Sequence, residues 1–212
     1  MKSIAVFGGT FNPVHKGHLH LLQRVCDTVK LDRIFVMPTK QPPHKEAAQL
    51  CGERHRYEMC RLAFSGMPNV CVSDYEFTRE GKSYSYYTVK HFRELYPDSR
   101  LYFIMGSDML LTFDSWYRAD ELAKLCTPLC VARSQEDIER CREKADELSA
   151  VGDAVFVEAA PFEVSSTQIR KMIYDKNFAM LSCYLDENVV KYIMENNLYS
   201  FNSSKINLND RQ

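Results

Sequence analysis

The stretch Ser3-Ile4-Ala5-Val6-Phe7-Gly8-Gly9, continuing through Thr10-Phe11-Asn12-Pro13-Val14-His15-Lys16-Gly17-His18, decides the fold. A short β-rich run stops at two glycines, and from Gly17 onward Leu19, Leu22, Cys26 and Val29 recur on one side of a helix. A second apolar run, Ile34 to Met37, is closed by Pro38. The three pieces form a strand, helix, strand unit, whose crossover requires a parallel sheet and is right-handed by default. Further strand candidates are Val70 to Val72, Leu101 to Met105, Leu129 to Ala132 and Ala154 to Val157. Helical stretches lie around Arg54 to Phe64, Tyr86 to Leu95 and Ile138 to Leu148. This alternation predicts an α/β fold, a Rossmann-like doubly wound parallel sheet.

Two C-terminal helices complete it. Ser165-Ser166-Thr167 precedes Ile169, Met172 and Ile173, and Asp186 precedes Val189, Val190, Ile193 and Met194. Both openings carry the side-chain oxygens that an N-cap requires. After Phe201 the chain turns polar, with too little apolar area to offset ordering entropy. We therefore expect a single domain over 1–201 and a flexible polar tail over 202–212, with no internal repeat or dividing linker.

The composition belongs to an ordinary globular chain: 212 residues, 45% hydrophobic and 26% charged, with a net charge of −1. That balance argues against a general nucleic-acid or membrane-surface binder, while leaving room for a local pocket that holds a small anion. No apolar run approaches a membrane span, and the start of the chain lacks a secretory leader, so the expected location is cytoplasmic. Eight cysteines are scattered without C-x-x-C spacing and are read as reduced, buried small hydrophobes. Cys126 and Cys130, the one close pair, receive the same reading.

Candidate chemistry begins where the first strand meets the first helix. In an open parallel sheet, ligands bind beyond the carboxyl ends of the strands. Gly8 and Gly9 let the backbone approach a phosphate, and the helix behind them offers free N–H groups. His15 and His18 are three residues apart at a helix start, so both rings can face one anion. In the second group, Ser165, Ser166 and Arg170, a plain N-cap explains one serine but not the gathered hydroxyls and arginine. The group suits a polyphosphate clamp. In the third, Gly106-Ser107-Asp108 follows a strand, where Gly106 permits close approach and Asp108 can accept from ribose hydroxyls. The sole tryptophan, Trp116, lies beside Tyr117. Core packing is the commoner fate of a lone tryptophan, but the polar setting favours a stacking wall for a planar ring. A basic proline loop, Lys40 to Lys45, and the hydroxyl-rich Ser83 to Thr88 would alone read as solvated surface and a helix start.

Together these residues resemble the bacterial nicotinate-nucleotide adenylyltransferases of the His-x-Gly-His nucleotidyltransferase superfamily, from Lys2 to about Phe201. The resemblance implies that ATP and nicotinate mononucleotide are joined to give nicotinate adenine dinucleotide and pyrophosphate, with Mg2+ carried by ATP. It implies that His15, His18 and Arg170 are catalytic. Gly8, Gly9, Thr10, Phe11, Gly106, Asp108, Ser165 and Ser166 would bind ATP, and no protein-held metal is expected. Lys45 would serve the mononucleotide phosphate; Tyr84, Ser85, Trp116 and Tyr117 would hold the nicotinate. Two positions depart from the family pattern: Asn12 stands where Asp is expected, removing a charge beside the phosphates, and Ser85 where Thr is expected.

Rival readings are a related enzyme that uses nicotinamide mononucleotide or phosphopantetheine, and a catalytically idle nucleotide-binding regulator. An aminoacyl-tRNA synthetase is disfavoured by the short chain and the missing Lys-Met-Ser-Lys-Ser loop. The expected partners are the two small-molecule substrates, without nucleic acid or membrane. The sequence leaves a homo-oligomer open.

Overall fold

The computed structural model describes residues 1–42, 50–132, 134–147 and 154–200. Six strands form one sheet: β1 (Ser3–Gly9), β2 (Arg33–Pro38), β3 (Val70–Val72), β4 (Arg100–Gly106), β5 (Thr127–Ala132) and β6 (Val155–Glu158). Every pairing is parallel and the order is β3-β2-β1-β4-β5-β6. The order reverses between β1 and β4, which opens a crevice at their carboxyl ends. All six strands lie where the sequence predicts them. The described helices are α1 (Lys16–Thr28), α2 (Glu53–Ala63), α3 (Ser85–Leu95), α4 (Ser107–Leu111), α5 (Ala119–Leu125), α6 (Gln135–Glu147), α7 (Ser166–Tyr174), α8 (Leu181–Tyr184) and α9 (Glu187–Glu195).

Helices cover both faces of the sheet, so successive strand residues feed two separate cores. Ala5, Phe7, Ile34, Val36 and Ile104 join one cluster with residues of α1, α2, α7 and α9. Ile4, Val6, Phe35, Met37 and Phe103 join the other with residues of α3, α5 and α6. This explains why the strands read as continuous apolar runs rather than alternating ones. Cys60, Cys126, Cys130 and Cys141 are buried among these hydrophobes, and all eight cysteines are free thiols. The Sγ atoms of Cys130 and Cys141 lie 3.7 Å apart, so Cys130 meets a residue of α6.

Ser165 and Asp186 cap α7 and α9 as expected: the Ser165 side chain accepts from the Gln168 amide and that of Asp186 from the Asn188 amide. The expected tail, 202–212, lies outside the described residues.

The two glycines that end β1 differ in what they permit. A Cβ at Gly9 would fall 2.8 Å from the Phe11 ring, which folds back over the strand end, whereas a Cβ at Gly8 would meet Phe103 at an ordinary 3.8 Å. Gly9 is thus needed by the fold, apart from any ligand. Gly9→Ala should cost about 1–3 kcal/mol in urea unfolding, the usual range for forcing extra volume into a packed site, and Gly8→Ala clearly less. Equal stabilities for the two variants would reject the clash.

Candidate active site

Val14 ends the loop that follows β1, and His15 is the N-cap of α1. The His15 backbone amide donates to His18 Nδ1 at 3.1 Å, and the two ring centroids are 3.8 Å apart. Since His18 Nδ1 accepts, its ring proton resides on Nε2. Phe11 supports the pair from below. Its ring meets His18 edge-on at 5.0 Å, and its side chain is buried in the core, so only its backbone can meet a ligand. Its φ of 46° lies in the left-handed region, a strained setting for an aromatic residue.

His15 is the more enclosed ring. Its Nδ1 is buried without a hydrogen-bond partner among the described residues, and burial holds its pKa at about 4. It is therefore neutral at neutral pH. Gly17 makes room for it, because a Cβ there would lie 2.9 Å from His15 Nδ1.

One cleft at the β1/β4 reversal brings His15 and His18 together with Gly106 and Asp108. Around Gly106 nothing stands within 4 Å of a hypothetical Cβ, so the approach is open, and Asp108 is exposed in the first turn of α4. The cleft continues past the ends of β5 and β6 to Ala132 and to Ala159–Phe162. Sequence reading missed that last segment. Its signal was only positional, a short apolar stretch just beyond a strand end.

α7 packs its serine-led end against the same loop. Ser165 and Gln168 form a reciprocal capping box, so the Ser165 hydroxyl serves as the N-cap. Ser166 Oγ donates to the Pro13 carbonyl at 2.9 Å, and Arg170 Nη1 donates to the Asn12 carbonyl at 2.8 Å. Arg170 Nη2 also donates to Thr167 Oγ1 at 3.2 Å. These two bonds use two of the five guanidinium donors. The group is thus tied to the loop that leads to His15, and none of its three residues lines the cleft that holds the imidazoles.

Position 12, the departure from the family pattern, is explained by this packing. Asn12 is only 4% exposed, and its Oδ1 accepts from the Cys51 amide at 3.1 Å and from the Tyr199 hydroxyl at 3.0 Å. Burial pushes the Tyr199 hydroxyl pKa strongly upward, so it stays a donor.

The residues expected to hold the nicotinate gather separately. Tyr84 is the N-cap of α3 and Ser85 its first residue. The Tyr84 ring stacks on Tyr117 at 4.5 Å, and the hydroxyls of Tyr87 and Tyr117 are 3.2 Å apart. Trp116 is half-buried, edge-on to Phe103 at 6.1 Å and 5.4 Å from Phe113. Part of its ring therefore has the ordinary core role. Phe103 also sits beneath Gly8, which links the two groups. Lys45, with Pro43 and His44, lies outside the described residues.

A parallel sheet in this order, with an imidazole pair at its reversal point, defines a nucleotidyltransferase-type site. Known proteins agree: a family model described as cytidylyltransferase-like matches residues 6–172. A Bacillus subtilis protein named nicotinate-nucleotide adenylyltransferase is 36% identical over 199 residues, covering 94% of this chain and 99% of that one. A Carboxydothermus hydrogenoformans relative, named "Probable nicotinate-nucleotide adenylyltransferase", is 38% identical over 198 residues, covering 92% and 97%. In fold, the chain is similar to the Plasmodium falciparum nicotinic acid mononucleotide adenylyltransferase solved with NaAD. The TM-score is 0.78 at 22% identity, covering 94% of this chain and 98% of that one. The chain belongs to the cytidylyltransferase-like family and, within it, to the nicotinate-nucleotide adenylyltransferases.

An unfolded histidine titrates near its ordinary 6.5, so between pH 6.5 and about 4 the unfolded chain binds a proton that folded His15 refuses. His15 therefore makes stability fall as pH drops through that window. NMR titration of the ligand-free protein should place the His15 midpoint near 4; a midpoint at the ordinary value would contradict the buried, neutral ring.

Proposed function

We propose that the chain transfers the adenylyl group of ATP to nicotinate mononucleotide, giving nicotinate adenine dinucleotide and pyrophosphate. The observation that carries this reading is the single cleft holding His15 and His18 together with Gly106 and Asp108. An acceptor phosphate is already largely ionised at neutral pH, its second pKa being about 6, so no protein nucleophile or strong base is needed. Its oxygen attacks the α-phosphorus in line. A new P–O bond forms, the α-phosphorus to bridging-oxygen bond breaks, and pyrophosphate leaves with the electron pair.

The protein's share is alignment and charge stabilisation. His18 Nε2–H donates to a non-bridging oxygen, and neutral His15 adds a second dipolar donor rather than a cation. Backbone from Gly8 to Phe11 lies along the phosphates. The remaining Arg170 donors face the leaving polyphosphate, with Ser165 and Ser166 fixing the start of α7, while Gly106 and Asp108 receive the ribose. Tyr84, Ser85, Trp116 and Tyr117 take the nicotinate ring and its carboxylate, and Lys45 takes the mononucleotide phosphate. A desolvated carboxylate needs donors, and the hydroxyls gathered from Tyr84 to Tyr117 favour the acid over the amide.

Among the described residues, no three His, Cys, Asp or Glu side chains converge as a metal cage. Mg2+ would be held by ATP's own phosphate oxygens, the hard ligands it prefers, with Asp108 the carboxylate that lines the cleft. When bound there, the ion would neutralise phosphate charge. Among the described residues no helix is long and apolar enough to cross a membrane, and free-nucleotide substrates suit a cytoplasmic location.

Pyrophosphate release measured with nicotinate mononucleotide, nicotinamide mononucleotide and phosphopantetheine should favour the first. ATP binding without release for any acceptor would instead support an idle regulator. His18→Ala should lower kcat by about 10²–10³-fold, the usual loss for one donor to transition-state charge, with circular dichroism unchanged. Near-normal turnover would remove His18 from the mechanism.

A further inference from the structure

Arg56, on α2, is 1% exposed, and its four hydrogen-bond acceptors are all backbone carbonyls. Nε donates to Cys51 at 2.9 Å, Nη1 to Thr10 at 3.0 Å and Thr39 at 2.6 Å, and Nη2 to Lys40 at 3.4 Å. The guanidinium also lies over the Phe77 ring, 5.7 Å from its centroid. Removing a cation from water is costly, and here carbonyl dipoles and an aromatic face compensate it. Helix packing alone gives no reason to bury an arginine.

The acceptors show what the arginine joins. Thr10 belongs to the loop after β1 that leads to His15; Thr39 and Lys40 belong to the loop after β2. The β2 loop in turn reaches the acceptor side. Lys40 Nζ donates to the carbonyls of Phe77 at 3.1 Å and Arg79 at 2.7 Å, and Gln41 and Ser83 exchange hydrogen bonds. Arg79 lies 4.2 Å over the Tyr87 ring, and Tyr87 meets Tyr117. One planar fork therefore spans the two loops that carry the two halves of the site.

We propose that Arg56 is a positioning residue for the transfer, setting the separation between the triphosphate loop after β1 and the acceptor-side loop after β2. The proposal rests on the adenylyl-transfer reading. Arg56 touches no reacting atom; it acts through Thr10, Thr39 and Lys40. In-line attack needs near-attack geometry, and a displacement of about 1 Å costs on the order of 10²-fold in rate. A lysine ammonium is a point charge and cannot bridge carbonyls on both loops in a fixed plane.

The test compares full-length wild type with Arg56→Lys and Lys40→Met at saturating ATP and nicotinate mononucleotide, well below each variant's melting temperature. Arg56→Lys should keep its circular dichroism and lose about 10²-fold in kcat, with both KM values within about threefold, the pattern of lost alignment rather than lost binding. Lys40→Met, which loosens the same connection from its partly exposed end, should lose about tenfold in kcat. A merely structural arginine would lower the melting temperature and leave kcat of the folded protein within about threefold; that result overturns the proposal. If Arg56→Lys does not fold, Lys40→Met decides on the same criterion. A wild type that releases no pyrophosphate with any acceptor overturns the reading of the activity and the proposal with it, whereas an active wild type with unchanged variants overturns the proposal alone.

Discussion

The loop from Thr10 to Val14 is held by its own carbonyl oxygens, and the site depends on that restraint. Arg56 takes the Thr10 carbonyl, Arg170 that of Asn12 and Ser166 that of Pro13. The Asn12 side chain is gripped in turn by Cys51 and Tyr199. The donors come from α2, α7 and the segments after β2 and α9, so residues far apart in sequence converge on three positions of this five-residue loop. A loop at a strand end has few neighbours of its own kind, and unpaired carbonyls there would otherwise seek water. Tying them to side chains gives α1 a defined origin and gives its two imidazoles a defined direction.

That origin determines the electrostatics. The His15 amide, at the cap of α1, donates to His18 Nδ1, which fixes the ring proton on Nε2. Burial beside Gly17 and His18 keeps His15 neutral. With His15 neutral, the start of α1 presents N–H dipoles rather than a histidine cation. Dipoles already aligned need no reorganisation as charge shifts during the transfer.

Several residues of the candidate site also serve the fold. Gly9 accommodates the Phe11 ring, and Phe11 props up His18 from inside the core. Ser165 is an ordinary N-cap, Ser166 and Arg170 spend bonds on the loop, and Trp116 packs partly on Phe103. Asn12 points to Cys51 and Tyr199, so the missing charge at that position is a matter of internal packing. For Ser166, Arg170 and Asn12 the local pattern was legible and its direction was not, because the partner comes from a distant segment.

Strand positions, the βαβ start and the capped C-terminal helices were readable from the chain, whereas only the resemblance joined His15 and His18 to Gly106 and Asp108. Periodicity and end signals are local, and a parallel sheet admits few connections. The short helices α4, α5 and α8 were not readable, being too brief to show a period. The same holds for the Ala159–Phe162 wall and for Arg56, whose sequence setting is that of any helical arginine. Burial, ring orientation and the pairing of one guanidinium with carbonyls on two loops arise only when separated segments meet, and so tertiary structure alone decided them.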